Sequence, residues 1–578
     1  MNYRDIQASE YLGIKTCYKD GRKIDMKKIL ISLLASTLLS ASALSVSAPA
    51  LSQETLVIDG KEVTRVIIAP ARTSIARIIR VGLYDDYKSS KFESRQYYEK
   101  QKLFYFYGAR HFEPLWLSQD NNGNPVFSAK AREIIDVFKN SAISGLNPND
   151  YLGESINIDN ISTDPISLAQ LETAFSAATM RYASDSYGGR IDPRSVSNNI
   201  DYKPNKINQN EILLELAKSD NPRQVLLNLE PKHREFIALK NALAQIGKNK
   251  TEEIIQITGG KILRLGDTDE RVPLLRERFS ISLPNVGGNV YDEGLLAEVE
   301  NFQSGAGLKV DGVIGPATIA AMNGNSHASR EDIIANMERW RWIPRDLGDF
   351  HVFVNIPQYQ LNIMKSGNSV FSTRVVVGKP KFATAIFSDN IKHVVVNPYW
   401  NVPRSILNNE IAPLVKKNPN YLSAKNMQLL SGGKVIDATS IDWSSTSMNG
   451  FRVRQLPGAN NALGSVKFLF PNKHAIYLHD TPSKSLFSRS TRAFSHGCVR
   501  VKNPWDFAEA LLQFDSKLNY KNVSSQRGNN RGEKWNNLGD IIPVHLAYFT
   551  LRIDKSGNIR SYSDVYGHNK RLKSLLGL

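Results

Sequence analysis

The chain has 578 residues with a formal net charge of +17, and 41% of them are hydrophobic and 9% aromatic. This length exceeds what one hydrophobic core supports, so two to four domains are expected. The surplus of Lys and Arg favours an anionic partner, but no helix-turn-helix, zinc-finger or RNA-binding pattern is present, which argues against nucleic acid.

The N-terminal segment predicts export. From Met26 the chain reads "MKKILISLLASTLLSASALSVSAPALSQ", with two lysines, a short apolar run and then small residues, which is the layout of a secretory signal peptide. We interpret residues 1–25 as an upstream extension and expect cleavage between Ala43 and Ser52. A retained N-terminal anchor is the alternative. No later stretch is long and apolar enough to cross a bilayer, so no transmembrane helix is expected in the mature chain.

Residues 54–258 have the pattern of a helical scaffold. The segment Ser128–Gly145, "SAKAREIIDVFKNSAISG", begins with a good N-cap residue, keeps apolar residues at helical spacing and stops at a glycine. Gln170–Gly189 follows the same pattern. Neither segment contains a cluster of catalytic side chains, so a scaffold is the preferred interpretation.

Residues 259–325 predict a small three-helix domain. Glycines punctuate a tight loop before Pro316 starts the third helix. Two helical faces stay apolar, through Val272, Leu275 and Phe279 in the first and Leu295, Val299 and Phe302 in the second.

This unit is similar to a known binding domain. "LRLGDTDERVPLLRERF" and "VENFQSGAGLKVDGVIGPATIAAM" resemble the peptidoglycan-binding domain found on many cell-wall enzymes, including the pair Phe302 and Gln303. The resemblance implies that the protein binds peptidoglycan. A degenerate copy kept only for packing is the alternative.

Residues 326–578 predict a mainly-β domain. Strands are expected to begin near Asn336–Pro344, and "DFHVFVNIPQYQLNIM", "STRVVVG" and "IKHVVVNPYWNVP" alternate with period two. The alternation breaks at about 404–454, where we predict an inserted cap rather than an elaborated surface loop. The predicted fold class is therefore α+β and multidomain.

Cysteine usage draws attention to one residue. The chain has two cysteines, and Cys17 lies in the segment that processing would remove, so Cys498 stands alone. A lone cysteine in an oxidising compartment is buried and inert, pairs between chains, or acts as a nucleophile. A metal site fails on ligand count because there is no HExxH, no CxxC and no second cysteine, so we predict no metal.

The neighbours of Cys498 favour the nucleophile. In an extended "AIYLHD", Tyr477 and His479 share one face, and in an extended "CVRV", Cys498 and Arg500 do. A thiol needs a base at neutral pH, because its ordinary pKa leaves only a small fraction ionised.

Two histidines are candidates for that base. His479 would approach from an adjacent strand, which suits an imidazole meeting a thiol better than His496, two residues before the cysteine. Gly497 permits a sharp bend and leaves backbone N–H groups open toward a developing oxyanion.

The stretch "HDTPSKSLFSRSTRAFSHGCVRV" resembles the active-site signature of the L,D-transpeptidases, the YkuD-type catalytic domain. "FEPLW", "RWIP", "VVVGKP" and "NPYWNVP" are similar to the large Gram-negative members, although "FATAIF" departs from the Thr-Pro common in that family. The resemblance implies roles for the signature residues. Cys498 would be the acylated nucleophile, His479 its base, His496 and Gly497 parts of the catalytic site, and Arg500, Tyr477, Ser495 and Trp400 substrate-binding residues.

The activity implied by this resemblance is a two-step acyl transfer in the periplasm that needs no cofactor. Cys498 would take the acyl group of a tetrapeptide stem with release of D-alanine, and a stem amine would then receive it in a 3–3 cross-link. The scaffold would recruit other wall-synthesis proteins, and the enzyme would serve cell-wall organisation and cell shape. Two alternatives stay open, a cysteine L,D-carboxypeptidase or peptidase that hydrolyses stems, and a non-catalytic wall-binding protein.

Overall fold

A computed structural model gives the three-dimensional structure. It describes residues 18–19, 22–23, 53–58, 61–66, 68–91, 95–153, 156, 158–246, 255, 257–282, 288–305, 308, 310–324, 328–528, 532–554 and 557–578. The chain forms two compact units, Met1–Ala50 and Leu51–Leu578. In the first, β1 (Tyr18–Lys19) pairs with β2 (Arg22–Lys23). The signal peptide predicted from Met26 lies outside the described residues.

The first part of the second unit is helical apart from two hairpins. Its elements are β3 (Gln53–Ile58), β4 (Lys61–Val66), α1 (Ser74–Ser89), α2 (Arg95–Gly108), β5 (Leu117–Gln119), β6 (Pro125–Phe127), α3 (Ala129–Lys139), α4 (Pro165–Gly188), α5 (Pro193–Val196), α6 (Gln209–Lys218), α7 (Pro222–Leu227) and α8 (Arg234–Ile246). The predicted N-cap is confirmed, since Ser128 Oγ accepts a hydrogen bond from Ala131 N at 3.3 Å. The α-helix ends at Lys139, and a 3₁₀ turn carries the chain to Gly145.

A buried carboxylate lies in the core of this helical part. Glu172 on α4 is fully buried. Its two oxygens accept hydrogen bonds from the backbone N–H groups of Leu115 at 2.7 Å, Trp116 at 3.1 Å and Leu117 at 3.1 Å, and from the Tyr107 hydroxyl at 2.7 Å. Burial raises the pKa of Glu172. Every bond that the carboxylate needs is therefore supplied by the protein.

The predicted three-helix unit is confirmed as α9 (Val272–Arg278), α10 (Glu293–Gly305) and α11 (Pro316–Gly324). Its helices share a small buried core of their own. The Gln303 side chain ties α10 to the following loop, because its oxygen accepts from Asp311 N at 3.0 Å and Gly312 N at 2.9 Å.

The expectation of strands from Asn336 is wrong for the first seven residues, which lie in a helix, α12 (Arg330–Trp342). Its charged side chains are buried against the scaffold helices. Glu338 accepts from the backbone N–H of Arg190 at 2.6 Å, and Arg341 donates to the Ser144 carbonyl at 2.6 Å. Because its opposite face packs on the sheet, the helix is buried nearly all round and shows no amphipathic period.

The remaining elements form the mainly-β part. They are β7 (Phe350–Asn355), β8 (Gln360–Lys365), β9 (Asn368–Gly378), β10 (Phe387–Val396), β11 (Trp400–Asn401), α13 (Arg404–Ile406), α14 (Ala412–Lys417), α15 (Tyr421–Ala424), β12 (Met427–Ser431), β13 (Lys434–Ile436), β14 (Arg452–Gln455), β15 (Val466–Leu469), β16 (Leu478–His479), β17 (Ala493–Ser495), β18 (Val499–Val501), α16 (Pro504–Leu512), α17 (Tyr520–Ser524), β19 (Lys534–Ala547), β20 (Leu551–Ile553), β21 (Ile559–Ser561) and α18 (His568–Leu576). The main sheet has the order β17-β9-β18-β16-β15-β10-β19-β7-β8, and β8 also pairs with β9, which closes the sheet.

The insertion within this sheet folds around its own core. β11, β14, β12 and β13 form a separate four-stranded sheet. Apolar side chains from its helices and strands, including Val415, Leu429 and Trp443, are buried together. We call the segment 404–454 the cap. No helix in the described part of the chain is long and apolar enough to cross a membrane.

Candidate active site

The candidate site is built on two neighbouring parallel strands. β16 pairs with β18 so that Leu478 lies opposite Val499 and His479 opposite Arg500. Leu478 and Val499 are fully buried on the core side. His479 and Arg500 therefore share the other face, in agreement with the alternation in the sequence.

Cys498 immediately precedes β18 and is half-buried. Its Sγ lies 3.7 Å from the Ala475 carbonyl oxygen, and the Tyr477 hydroxyl is within hydrogen-bonding reach of the thiol. Ala475 has a φ of 52°, a left-handed backbone conformation that residues other than glycine adopt only at a cost in free energy. Burial raises the pKa of the Cys498 thiol to about 11. The resting thiol is therefore neutral at physiological pH.

The His479 ring is held in one tautomer. Its Nδ1 lies 2.5 Å from the backbone carbonyl oxygen of Asp480, and a carbonyl only accepts, so Nδ1 carries the proton. Burial and the Arg500 guanidinium lower the pKa of His479 to about 3. The ring is a neutral imidazole with a basic Nε2, and its centroid is 5.6 Å from that of Tyr477.

The Asp480 carboxylate is occupied elsewhere. It accepts from Ser465 N and Oγ, each at 2.9 Å, and from Lys484 Nζ at 2.5 Å. Burial would raise its pKa, but the hydrogen bond from Lys484 keeps the pKa below the usual value. The contact of Asp480 with His479 is made by the backbone, so no Cys-His-Asp side-chain triad is formed.

The turn before Cys498 is held by Ser495. The Ser495 hydroxyl donates to the Cys498 carbonyl at 2.6 Å and accepts from Gly497 N at 3.1 Å. Gly497 has a φ of 118°, which favours glycine. The N–H of Gly497 is thus not open, contrary to the expectation for this turn. Among the hydrogen bonds of the described residues, the Cys498 N–H has no acceptor.

Arg500 is a cation without a counter-ion in the described part of the chain. Its Nε is buried and has no hydrogen-bond partner there. Burial lowers its pKa, while a charge on Cys498 would raise it. An unpaired guanidinium beside the thiol is suited to bind an anion from solution.

The other two predicted site residues lie toward the cap. His496 Nε2 is 2.6 Å from Oε1 of Glu410 in the cap, and its ring packs against Phe382 at 4.8 Å. Trp400 lies in β11, opposite Gln455 at the base of the cap sheet. No hydrogen bond joins Trp400 to Cys498 among the described residues. Glu410 was not among the site residues predicted from the sequence, because it is an isolated acid 86 positions before His496.

No group of three His, Cys, Asp or Glu side chains in the described ranges could hold a metal ion.

The chain matches three family models. Residues 101–243 match the "Scaffold domain", residues 270–322 the "Putative peptidoglycan binding domain" and residues 349–524 the "L,D-transpeptidase catalytic domain". The last range contains the paired strands and the cap. The chain carries an L,D-transpeptidase catalytic domain. It also carries a peptidoglycan-binding domain and a scaffold domain.

Known proteins are similar to this chain over part of its length. A Haemophilus influenzae protein named "Putative L,D-transpeptidase" is 37% identical over 250 residues, which are 42% of this chain and 49% of the relative. The chain thus spans about half the length of that curated relative.

Two solved structures are more distant. An L,D-transpeptidase from Mycobacterium smegmatis is 14% identical, with a TM-score of 0.17, covering 34% of this chain and 58% of the other. One from Xylanimonas cellulosilytica is 16% identical, with a TM-score of 0.16, covering 50% and 99%.

Proposed function

We propose that this protein is a periplasmic peptidoglycan L,D-transpeptidase with Cys498 as nucleophile and His479 as base. One observation carries the proposal. A thiol, a neutral imidazole with a basic Nε2 and an unpaired guanidinium lie on one face of two paired strands. The match to an L,D-transpeptidase catalytic domain supports acyl transfer as the reaction.

In the first half-reaction, His479 Nε2 takes the Cys498 proton as Sγ attacks the carbonyl of the L-centre of the diamino acid in a donor stem. The Cys498 N–H is the candidate donor to the developing oxyanion. When the C–N bond breaks, His479 returns the proton to the leaving D-alanine, and a thioester remains.

In the second half-reaction, an amine of an acceptor stem attacks the thioester. The C–S bond breaks, an amide forms and the thiol is restored. This step yields a 3–3 cross-link. If water replaces the amine, the product is a hydrolysed tripeptide, which is the carboxypeptidase alternative.

The other parts of the chain fit a polymeric anionic substrate. Arg500 would bind a stem carboxylate, and Tyr477 would hold the thiol. The peptidoglycan-binding domain, whose proposed bounds are 259–325, would keep the enzyme on the wall, and the scaffold, 54–258, would contact other wall-synthesis proteins. The cap would shield the thioester from water. Export would depend on the signal peptide from Met26.

The test is mass analysis of muropeptides after purified protein is incubated with tetrapeptide-rich sacculi. We expect 3–3 dimers and free D-alanine, and neither with Cys498→Ala. Tripeptides without dimers would favour the carboxypeptidase. Unchanged muropeptides with sacculi-bound protein would favour a non-catalytic wall-binding protein.

A further inference from the structure

The cap reaches the turn before the nucleophile through one carboxylate. Glu410 lies in the π-helical turn Leu407–Ile411, with its Oε1 2.6 Å from His496 Nε2. The Glu410 side chain is 50% exposed and that of His496 25% exposed, whereas His479 is buried. The site therefore contains two imidazoles, the buried ring of His479 and the partly exposed ring of His496.

The contact with Glu410 selects a tautomer of His496. A carboxylate accepts, so in the neutral ring Nε2 carries the proton and Nδ1 has the free lone pair. No hydrogen bond to Nδ1 is formed within the described residues. An imidazole whose other nitrogen is held by a carboxylate has the arrangement of a general base. His479, held by a backbone carbonyl, is oriented independently of it.

The charges around Cys498 are divided in the same way. Arg500, which has no counter-ion in the described part of the chain, lies on the sheet, whereas Glu410, an exposed carboxylate, lies on the cap. A donor stem carries carboxylates, whereas an acceptor carries an ammonium at neutral pH. The cap side is the side that attracts the acceptor.

Two lysines lie close to Phe382, the aromatic residue that packs against His496. Lys379 Nζ is 5.0 Å and Lys381 Nζ 5.8 Å from the centroid of the Phe382 ring. Neighbouring positive charges favour the unprotonated form of an amine. They would oppose the rise in pKa that the Glu410 carboxylate gives to an ammonium held there.

We propose that Glu410 and His496 form the acceptor subsite, in which Glu410 attracts the acceptor ammonium and His496 Nδ1 takes one of its protons. This inference rests on the proposed function. The amine lone pair then forms the C–N bond, the C–S bond breaks, and its electron pair returns to Sγ. A second amine proton passes through His479 to Sγ, and His496 releases the first to water.

The experiment compares two acceptors with Glu410→Gln. A stem amine is protonated at pH 7 and needs a base, whereas hydroxylamine is uncharged and does not. With a soluble tetrapeptide donor, the single-turnover burst of D-alanine release measures the first half-reaction, and the ratio of amide or hydroxamate to hydrolysed product measures the second. We expect transfer to the stem amine to fall at least about tenfold, with D-alanine release and transfer to hydroxylamine changing less than about twofold.

The cap supplies a matched control. Asp442 is an exposed cap carboxylate that accepts hydrogen bonds from Ser444 and Ser445. Asp442→Asn should leave transfer to the stem amine and transfer to hydroxylamine unchanged. Equal loss with both acceptors would mean that Glu410 only supports the structure. Unchanged transfer to the stem amine, or lost D-alanine release, would also overturn the subsite. Absence of acylated Cys498 in the unmodified enzyme would instead overturn the proposed function.

Discussion

The scaffold fully buries one ionisable side chain, Glu172, and the catalytic sheet partly buries another, Arg500, but the surroundings of the two differ. Glu172 is surrounded by four groups that donate to it, all supplied by the chain. Arg500 has a buried Nε with no partner in the described part of the chain. A buried charge with every bond satisfied stabilises a fold, whereas one left without partners keeps its bonding capacity for a ligand. The comparison predicts which substitutions change stability and which change chemistry.

The largest effect is expected at the proposed nucleophile. Cys498→Ala should reduce D-alanine release from a donor stem by more than about 10⁴-fold, because the variant lacks the sulfur on which the proposed thioester forms. The melting temperature should stay close to that of the unmodified protein, since a small side chain replaces another in a half-buried position. Clear turnover by this variant would contradict the nucleophile assignment.

His479→Ala should be next. Loss of the proposed base is expected to slow acylation at pH 7 by about 10²- to 10⁴-fold.

The raised pKa of Cys498, about 11, predicts that alkylation of the resting thiol by a small reagent keeps accelerating with pH through the alkaline range. The thiol is neutral below that pKa and becomes the reactive thiolate above it. An alkylation rate that levels off near pH 7 would indicate a preformed ion pair instead.

On the scaffold side, Glu172→Ala should destabilise the protein by about 3–5 kcal/mol, because it leaves several buried donors without an acceptor. Thermal unfolding measures the change, and Gln170→Ala on the exposed face of α4 is the control. Alkylation of Cys498 below the melting temperature should not change. A stable variant with an altered thiol would break the comparison.

Arg500→Gln is expected to weaken reaction with a carboxylate-bearing donor by about tenfold to a hundredfold, because it removes a charge-assisted hydrogen bond of about 1.5–3 kcal/mol. The matched variant is Arg492→Gln. Both terminal nitrogens of Arg492 donate to backbone carbonyls, so its loss should lower stability more than activity. Equal effects on a donor without the carboxylate would argue against anion binding by Arg500.

The smallest effect on chemistry is expected from deletion of residues 261–323, which contain no proposed catalytic group. Retention on insoluble sacculi should fall clearly, and alkylation of Cys498 should stay within about a factor of two. Co-sedimentation with sacculi and alkylation kinetics measure the two properties. A parallel loss of both would make this domain a structural part of the active site.

Most of the architecture could be predicted from local patterns, because helix N-caps and strand alternation depend on neighbours in the chain. The Ser128 cap and the faces of β16 and β18 are of this kind. Helix α12 was missed because its charged residues find partners 148 and 197 positions away, which no local period reveals.

The candidate site divides in the same way. The faces of β16 and β18 could be expected from the alternation, but the hydrogen bond of the Gly497 N–H to Ser495 could not. The contact of Glu410 with His496 depends on how the cap folds, and a lone acid in a polar insertion gives no signal of it. Such contacts between distant segments are set by tertiary packing alone.

Ala475 has a consequence for attempts to make this protein more robust. Its left-handed backbone, φ 52°, costs roughly 1–2 kcal/mol, and glycine would remove that cost. The same substitution would add freedom to the unfolded chain, worth about 0.4–1 kcal/mol in the other direction. A glycine here would therefore be nearly neutral or mildly stabilising, yet it would let the peptide unit rotate and turn its carbonyl away from Sγ. A search for heat-resistant variants would thus tolerate this change, although the protein would lose the fixed contact between the Ala475 carbonyl and Cys498 Sγ.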